Sequence, residues 1–79
     1  MELKLKTANG SIKTVNFKVR GYSYIRKKAS ARRLGDEIAA LFGEGGLTDI
    51  QIDVVKDIMT RIAKKWGLIA EFRELGVCK

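Results

Sequence analysis

The stretch GYSYIRKKASARRLGDE, residues 21–37, holds the densest group of side chains that could bind an anion. It carries five Lys or Arg and two tyrosines before its first acid, Asp36. A Lys or Arg beside a phosphate releases condensed counterions, so a basic cluster gives affinity for nucleic acid that falls steeply with salt. The five cations are Arg26, Lys27, Lys28, Arg32 and Arg33.

Side chains suited to catalysis are scarce. The chain has no histidine, which removes the commonest general base and the commonest metal ligand. Its single cysteine, Cys78, can form neither an internal disulfide nor a zinc site, and we expect it beside a frayed end. The phosphate-binding patterns G-x-x-x-x-G-K-S/T and G-x-G-x-x-G do not occur. We therefore predict no enzyme activity, no metal and no cofactor.

A ribonuclease that works without histidine is the one catalytic alternative. Such small basic enzymes stabilise a phosphorane-like state with Lys, Arg and Tyr side chains. The residues that could do so here are Tyr22, Tyr24, Arg26 and Lys27.

Positive charge is concentrated in one part of the chain. Residues 1–33 contain ten Lys or Arg and one acid, which gives a charge of +9. Residues 34–79 contain six Lys or Arg and eight acids, which gives −2, and the two sum to the net charge of +7. Solubility alone would explain the size of this charge. Its one-sided placement favours a polyanionic partner, usually nucleic acid. The sequence has no apolar run of membrane-spanning length and no secretory signal, so we predict a cytoplasmic protein with no membrane partner.

Alternating apolar and polar residues on either side of Asn9-Gly10 predict a β-hairpin. A two-residue loop would turn the leucines and the valines to opposite faces of the hairpin. A three-residue loop, from Ala8 to Gly10, pairs Leu3 with Val15 and collects the apolar residues on one face. We expect this second register, because a slip of one residue would expose the whole apolar set.

The solvent face of the sheet is predicted to be basic. Residues 1–26 would form a hairpin or, with a third strand over residues 22–26, a three-stranded sheet. The tyrosines on this face could stack on the bases of a single strand, and packing in the core or at the sheet edge is their alternative role. The predicted face consists of Lys4, Lys6, Lys18, Arg20, Tyr22, Tyr24 and Arg26.

Residues 30–42 are predicted to form a helix with Ser30 as its N-cap, and a start near Ser23 is the alternative. With the first of these starts, Arg32 and Arg33 lie in the first turn, where the peptide dipoles disfavour each cation by about 0.3–1 kcal/mol at low salt. Local rules are broken most often at functional sites, so this conflict supports an anionic partner.

Two further helices are predicted over residues 48–66 and 68–75. Thr48 and Gln51 have the spacing of a capping box, which gives the second helix the clearest start in the chain. An edge strand is the alternative for the last segment. The residues expected to point inward from the last helix are Leu68, Phe72 and Leu75.

The second helix carries apolar residues outside its main apolar arc. Ile50 and Val54 fall beside Arg61 rather than among the core positions. Such a wide apolar surface meets more than one neighbour. The sheet and the first helix are one pair of candidates, and a second copy in a homodimer is the other.

These patterns predict one small α+β domain over residues 1–79, with two or three helices packed on the apolar face of the sheet. Its predicted function is non-catalytic binding of nucleic acid, with DNA favoured over RNA. The alternative is a protein-binding module or inhibitor, of the kind found in phages and mobile elements, whose basic face docks an acidic partner protein.

Overall fold

The computed structural model describes residues 2–6 and 10–79, which form a two-stranded sheet followed by three helices. The predicted α+β class is confirmed, and of the two predicted forms of the sheet the described residues form the two-stranded hairpin. The elements are β1 (Glu2–Lys6), β2 (Ile12–Asn16), α1 (Tyr24–Glu44), α2 (Asp49–Trp66) and α3 (Ile69–Leu75).

The hairpin has the register that places its apolar residues together. Strands β1 and β2 pair antiparallel with Leu3 opposite Val15, as the three-residue loop predicts. Gly10, the last residue of the predicted loop, has φ 85°, a positive value typical of the glycine in a β-bulge that follows such a loop. The predicted loop residues Ala8 and Asn9 lie outside the described residues.

The third strand predicted over residues 22–26 is wrong, because this segment contains the start of α1. The hydroxyl of Ser23 accepts a hydrogen bond from the Arg26 backbone N–H, and the Ser23 carbonyl accepts one from the Lys27 N–H at 2.9 Å. The first bond satisfies an N–H that has no partner within the helix, and the second is the first intrahelical bond of α1. The cap therefore overrides the strand preference of the two tyrosines.

Helix α1 is also longer than the predicted span 30–42. Ser30 is therefore not its N-cap, and the Ser30 hydroxyl instead accepts a hydrogen bond from the Arg20 backbone N–H at 3.1 Å. Arg32 and Arg33 lie in the third turn, beyond the reach of the helix-start dipole. The predicted conflict between these two arginines and the dipole is therefore wrong, although a conflict of the same kind exists at Arg26.

Helix α2 begins as predicted. The Thr48 backbone N–H donates to Gln51 Oε1 at 3.0 Å, and the Gln51 N–H donates to Thr48 Oγ1 at 3.2 Å, which completes the capping box. Asp49 in the first turn and Lys64 and Lys65 in the last turn complement the helix dipole.

The last segment is a helix, not an edge strand. Of its predicted inward residues, Leu68 and Phe72 are buried, whereas Leu75 is 40 % exposed. Gly35 of α1 lies against the Phe72 ring, where a Cβ would come 2.7 Å from Cε1. This glycine therefore allows α1 to pack closely against α3.

One apolar core joins all five elements and the residues that follow α3. Cys78 is 8 % exposed, so its predicted place beside a frayed end is wrong. The Lys79 ammonium pairs with Asp57 at 2.7 Å and Asp53 at 2.9 Å, and its hydrogen bond lowers the pKa of the Asp57 carboxyl. The core residues are Leu5, Val15, Phe17, Ala31, Leu34, Ile38, Leu41, Val55, Ile58, Met59, Ala63, Trp66, Leu68, Phe72, Val77 and Cys78.

Candidate anion-binding site

An open cleft of about 450 Å³ lies between the segment that follows the hairpin and the first three turns of α1. Three arginines line it, one from the segment and two from the helix. We call this feature the arginine cleft. Its lining residues are Arg20, Gly21, Arg26, Ala29, Ser30 and Arg33.

The helical side of the arginine cleft follows from the spacing of its residues. Arg26, Ser30 and Arg33 stand at i, i+4 and i+7, which places them along one face of α1. Arg20 meets this face from the preceding segment, because its backbone N–H is hydrogen-bonded to the Ser30 hydroxyl. The segment before α1 and the first three turns of α1 thus bring three arginines to one cleft.

Gly21 allows the segment to pass close to α1. Its φ of +141° is one that L side chains rarely adopt. A Cβ at this position would lie 2.8 Å from the Arg26 Cβ and 3.0 Å from the Lys27 backbone nitrogen. A side chain there would push the segment away from the helix, and Arg20 with it.

The cations of the arginine cleft have no acidic partner within the described part of the chain. None of the ion pairs within residues 2–6 and 10–79 involves Arg20, Arg26 or Arg33. Glu37, one turn beyond Arg33 on α1, lies 4.0 Å from Lys13 of β2 instead. The cleft therefore presents positive charge that no described carboxylate neutralises.

Arg32, the neighbour of Arg33, has the opposite role. Its Nε donates to Glu71 Oε2 at 2.9 Å and its Nη2 to Glu71 Oε1 at 3.1 Å, which joins α1 to α3. The hydrogen bond and the charge of Arg32 hold the pKa of the Glu71 carboxyl below its usual value. Arg32 was predicted to bind nucleic acid, and in the fold its guanidinium is hydrogen-bonded to Glu71.

The start of α1 has half of a capping box. Ser23 Oγ accepts from the Arg26 N–H at 3.3 Å, as Thr48 does from Gln51 in α2. A guanidinium has no acceptor, so Arg26 cannot return the second bond that Gln51 makes. The first turn of α1 also contains no acid. Arg26 thus occupies a position where a glutamate or glutamine would stabilise the helix better.

Two other predicted site residues belong to an aromatic cluster away from the arginine cleft. The Tyr24 ring lies 5.4 Å from the Trp66 ring between centroids, which joins the start of α1 to the end of α2. The Lys28 ammonium is 6.0 Å from the Tyr24 centroid, and the Lys65 ammonium is 5.5 Å from that of Trp66. Tyr24 and Lys28 therefore have packing partners within the fold.

The predicted residues other than Arg20, Arg26 and Arg33 do not line the arginine cleft. Lys4 and Lys6 lie on β1, opposite Thr14 and Ile12. The predicted row of four cations on one sheet face is wrong, because β2 ends at Asn16 and the last two of them follow it. Tyr22 is fully exposed, whereas Lys27 is half-buried. The two cations beyond β2 are Lys18 and Arg20.

The sequence analysis did not predict that Arg20, Arg26 and Arg33 line one cleft. Ser30 was assigned to the wrong structural position, and Gly21 was not recognised as a contact point. With the helix starting near Ser23, the i, i+4, i+7 pattern would have grouped Arg26 with Arg33. The approach of Arg20 has no comparable signal, because it depends on a hydrogen bond across ten residues.

Across residues 2–6 and 10–79, no group of three or more His, Cys, Asp or Glu side chains could hold a metal ion. No helix in the same ranges is long and apolar enough to cross a bilayer. Comparison of the chain with protein-family models, with curated proteins and with solved structures finds no match.

Proposed function

We propose that the protein binds nucleic acid without catalysing a reaction, and that the arginine cleft holds a backbone phosphate. The observation that carries this proposal is the meeting of Arg20, Arg26 and Arg33 around one open cleft with no described acid paired to them. Guanidinium groups are planar donors whose geometry matches phosphate oxygens.

Double-stranded DNA is the favoured form of the ligand. A single-strand site needs aromatic platforms for successive bases, and of the two predicted tyrosines one packs on Trp66. The exposed face of the hairpin carries Lys4 and Lys6, and a two-stranded ribbon fits the major groove of B-form DNA. The major groove of A-form RNA is too deep and narrow for such an element.

A binding role is favoured over the ribonuclease alternative. Of the four side chains that could stabilise a phosphorane, Arg26 lines the arginine cleft and Tyr22, Tyr24 and Lys27 do not. The reducing interior of a cell suits the free thiol of Cys78, so we propose a cytoplasmic location.

The test is a fluorescence-anisotropy titration of labelled duplex DNA, duplex RNA and single-stranded DNA at several salt concentrations. Arg33→Gln should weaken duplex binding by about 10–100-fold, as expected when a charged hydrogen bond is lost. It should also reduce the slope of log affinity against log salt by about 0.9, the contribution of one phosphate contact.

Arg61→Gln is the matched control, because it lowers the net charge of +7 by the same single unit from an exposed site on α2. If binding depends on total charge rather than on the cleft, both variants will weaken equally, and the proposed site is wrong. Absence of duplex binding by the wild type at low salt would overturn the proposed function. The basic surface would then have to be tested against acidic proteins.

A further inference from the structure

An apolar groove of about 190 Å³ lies between β1 and the first half of α2, away from the arginine cleft. Its lining includes Leu3, Lys4 and Leu5, three consecutive residues of one strand. Consecutive side chains point to opposite faces of a sheet, so a groove that touches all three reaches the edge of the strand. The other lining residues are Ile50, Gln51 and Val54.

The strand edge at this groove has no described partner. The sheet contains two strands, and β1 pairs with β2 along one side only. The unpaired side presents N–H and C=O groups that can pair with another strand. Beside it, Ile50 is 78 % exposed and Val54 is 42 % exposed, one turn apart on α2. An open strand edge and an exposed apolar helix face therefore adjoin.

We infer that this groove binds a second copy of the chain, with β1 of each copy pairing antiparallel to form a four-stranded sheet. The charge pattern of β1 supports a second copy as the occupant. Pairing centred on Leu3 sets Glu2 opposite Lys4 of the second copy, and Lys4 opposite its Glu2. Opposite charges directly across two strands are favourable, so the segment Glu-Leu-Lys is complementary to itself.

Charge also selects this register over its nearest alternative. Pairing centred on Lys4 would set Glu2 of each copy opposite Lys6 of the other, but it would also set two Lys4 side chains directly opposite, which is destabilising. A two-fold arrangement buries the same patch on both copies, so Ile50 and Val54 from each α2 would cover the enlarged sheet. An isolated two-stranded hairpin is marginal in water, whereas a four-stranded sheet has a larger face to bury.

The dimer does not use the arginine cleft, although it draws Lys4 of the hairpin into cross-strand pairs, so docking of a two-stranded ribbon in the major groove belongs to the monomer. No residue lines both the groove and the arginine cleft, so dimerisation leaves Arg20, Arg26 and Arg33 open in each copy. The dimer would present two such clefts related by a two-fold axis.

The experiment is sedimentation equilibrium of the full chain over a wide concentration range, without nucleic acid. The wild type should sediment as a dimer. Val54→Asp should sediment as a monomer, with an unchanged circular dichroism spectrum because the side chain is partly exposed. Lys4→Glu should weaken the dimer by about tenfold, since both cross-strand attractions become repulsions. Glu2→Lys combined with Lys4→Glu should restore it.

Lys6→Glu is the matched control, because it changes the net charge equally at a residue beyond the paired segment. A monomeric wild type at every concentration would overturn the inference. A dimer that resists both Val54→Asp and Lys4→Glu would also overturn it, by placing the interface elsewhere. A dimer weakened by Lys6→Glu and not by Lys4→Glu would refute pairing centred on Leu3.

Discussion

The starts of the two long helices use the same cap with opposite chemistry. Thr48 and Ser23 each accept a hydrogen bond from the backbone N–H three residues on, at 3.2 and 3.3 Å. In α2 the residue there is Gln51, whose side chain returns a bond to the cap. In α1 it is Arg26, which has only donors and projects into the arginine cleft instead.

The charges in the first turns also favour the start of α2 over the start of α1. Helix α2 has Asp49 in its first turn, where an anion is stabilising, and α1 has no acid in its first turn. Both choices at α1 lower helix stability relative to α2. The start of α2 follows the preference for anions near a helix N-terminus, and the start of α1 does not. The start of α1 is also where three arginines line one cleft. The proposed anion-binding role of Arg26 would account for this difference, because Arg26 does not stabilise the helix start as Gln51 does.

The most direct way to break this comparison is to give α1 the chemistry of α2. Arg26→Gln copies the α2 capping box and removes one cation from the arginine cleft. We expect duplex DNA affinity to fall by about 10–100-fold, because a charged contact is lost. We expect the free energy of unfolding to rise by about 0.3–1.5 kcal/mol, because the cap is completed. Urea denaturation and anisotropy titration measure the two effects.

The opposite signs are the essential result. Arg61→Gln provides the control for a loss of charge elsewhere and should change both quantities little. If Arg26→Gln lowers stability, Arg26 supports the fold, and the contrast between the two helix starts loses its functional meaning.

A second experiment removes the cap from each helix in turn. Thr48→Ala should lower the free energy of unfolding by about 1 kcal/mol, since it abolishes a cap that is part of a reciprocal box. Ser23→Ala should cost less, because α1 loses a single bond. Urea denaturation of both variants gives the comparison. A larger loss for Ser23→Ala would show that the start of α1 is the better stabilised one.

The smallest expected effect concerns Arg32 of α1, which forms an ion pair with Glu71. Arg32 lowers the pKa of Glu71, so the pair contributes stability above the ordinary glutamate pKa and loses it as pH falls through the lowered value. Glu71→Gln should therefore be less stable than the wild type at neutral pH and equal to it in acid. Both side chains are about half exposed, so the difference should be small and should shrink with salt.

Urea denaturation of the two proteins at neutral and acidic pH tests this. The Asp57 and Lys79 pair is present in both and cancels in the difference. A stability difference that persists unchanged in acid would show that Glu71 acts through packing rather than through its charge.

Much of the fold could be predicted because its signals are local. The hairpin register follows from period-two alternation and the Asn9-Gly10 turn, and the start of α2 follows from Thr48 and Gln51. The start of α1 was misplaced because two residues compete as caps. Both Ser23 and Ser30 precede residues that can form a helix. The sequence does not show which backbone N–H donates a hydrogen bond to each serine hydroxyl.

The candidate site could be predicted only in part, for a related reason. The sequence grouped Arg26, Arg32 and Arg33 by proximity along the chain. In the fold, Arg32 pairs with Glu71, 39 residues away, whereas Arg33 faces the cleft. Adjacent residues on a helix point about 100° apart, so neighbours in sequence serve different surfaces.

The sequence by itself determined the α+β class, the excess of positive charge before residue 34, the hairpin register and the capping box of α2. Each of these depends on residues within a few positions of one another, and short-range periodicity and side-chain chemistry encode them directly. Tertiary structure alone decided which cations are neutralised and which meet at a cleft. That outcome depends on how closely Arg20 and Gly21 approach α1 and on how α3 packs against α1. The sequence does not show the distance in space between these segments.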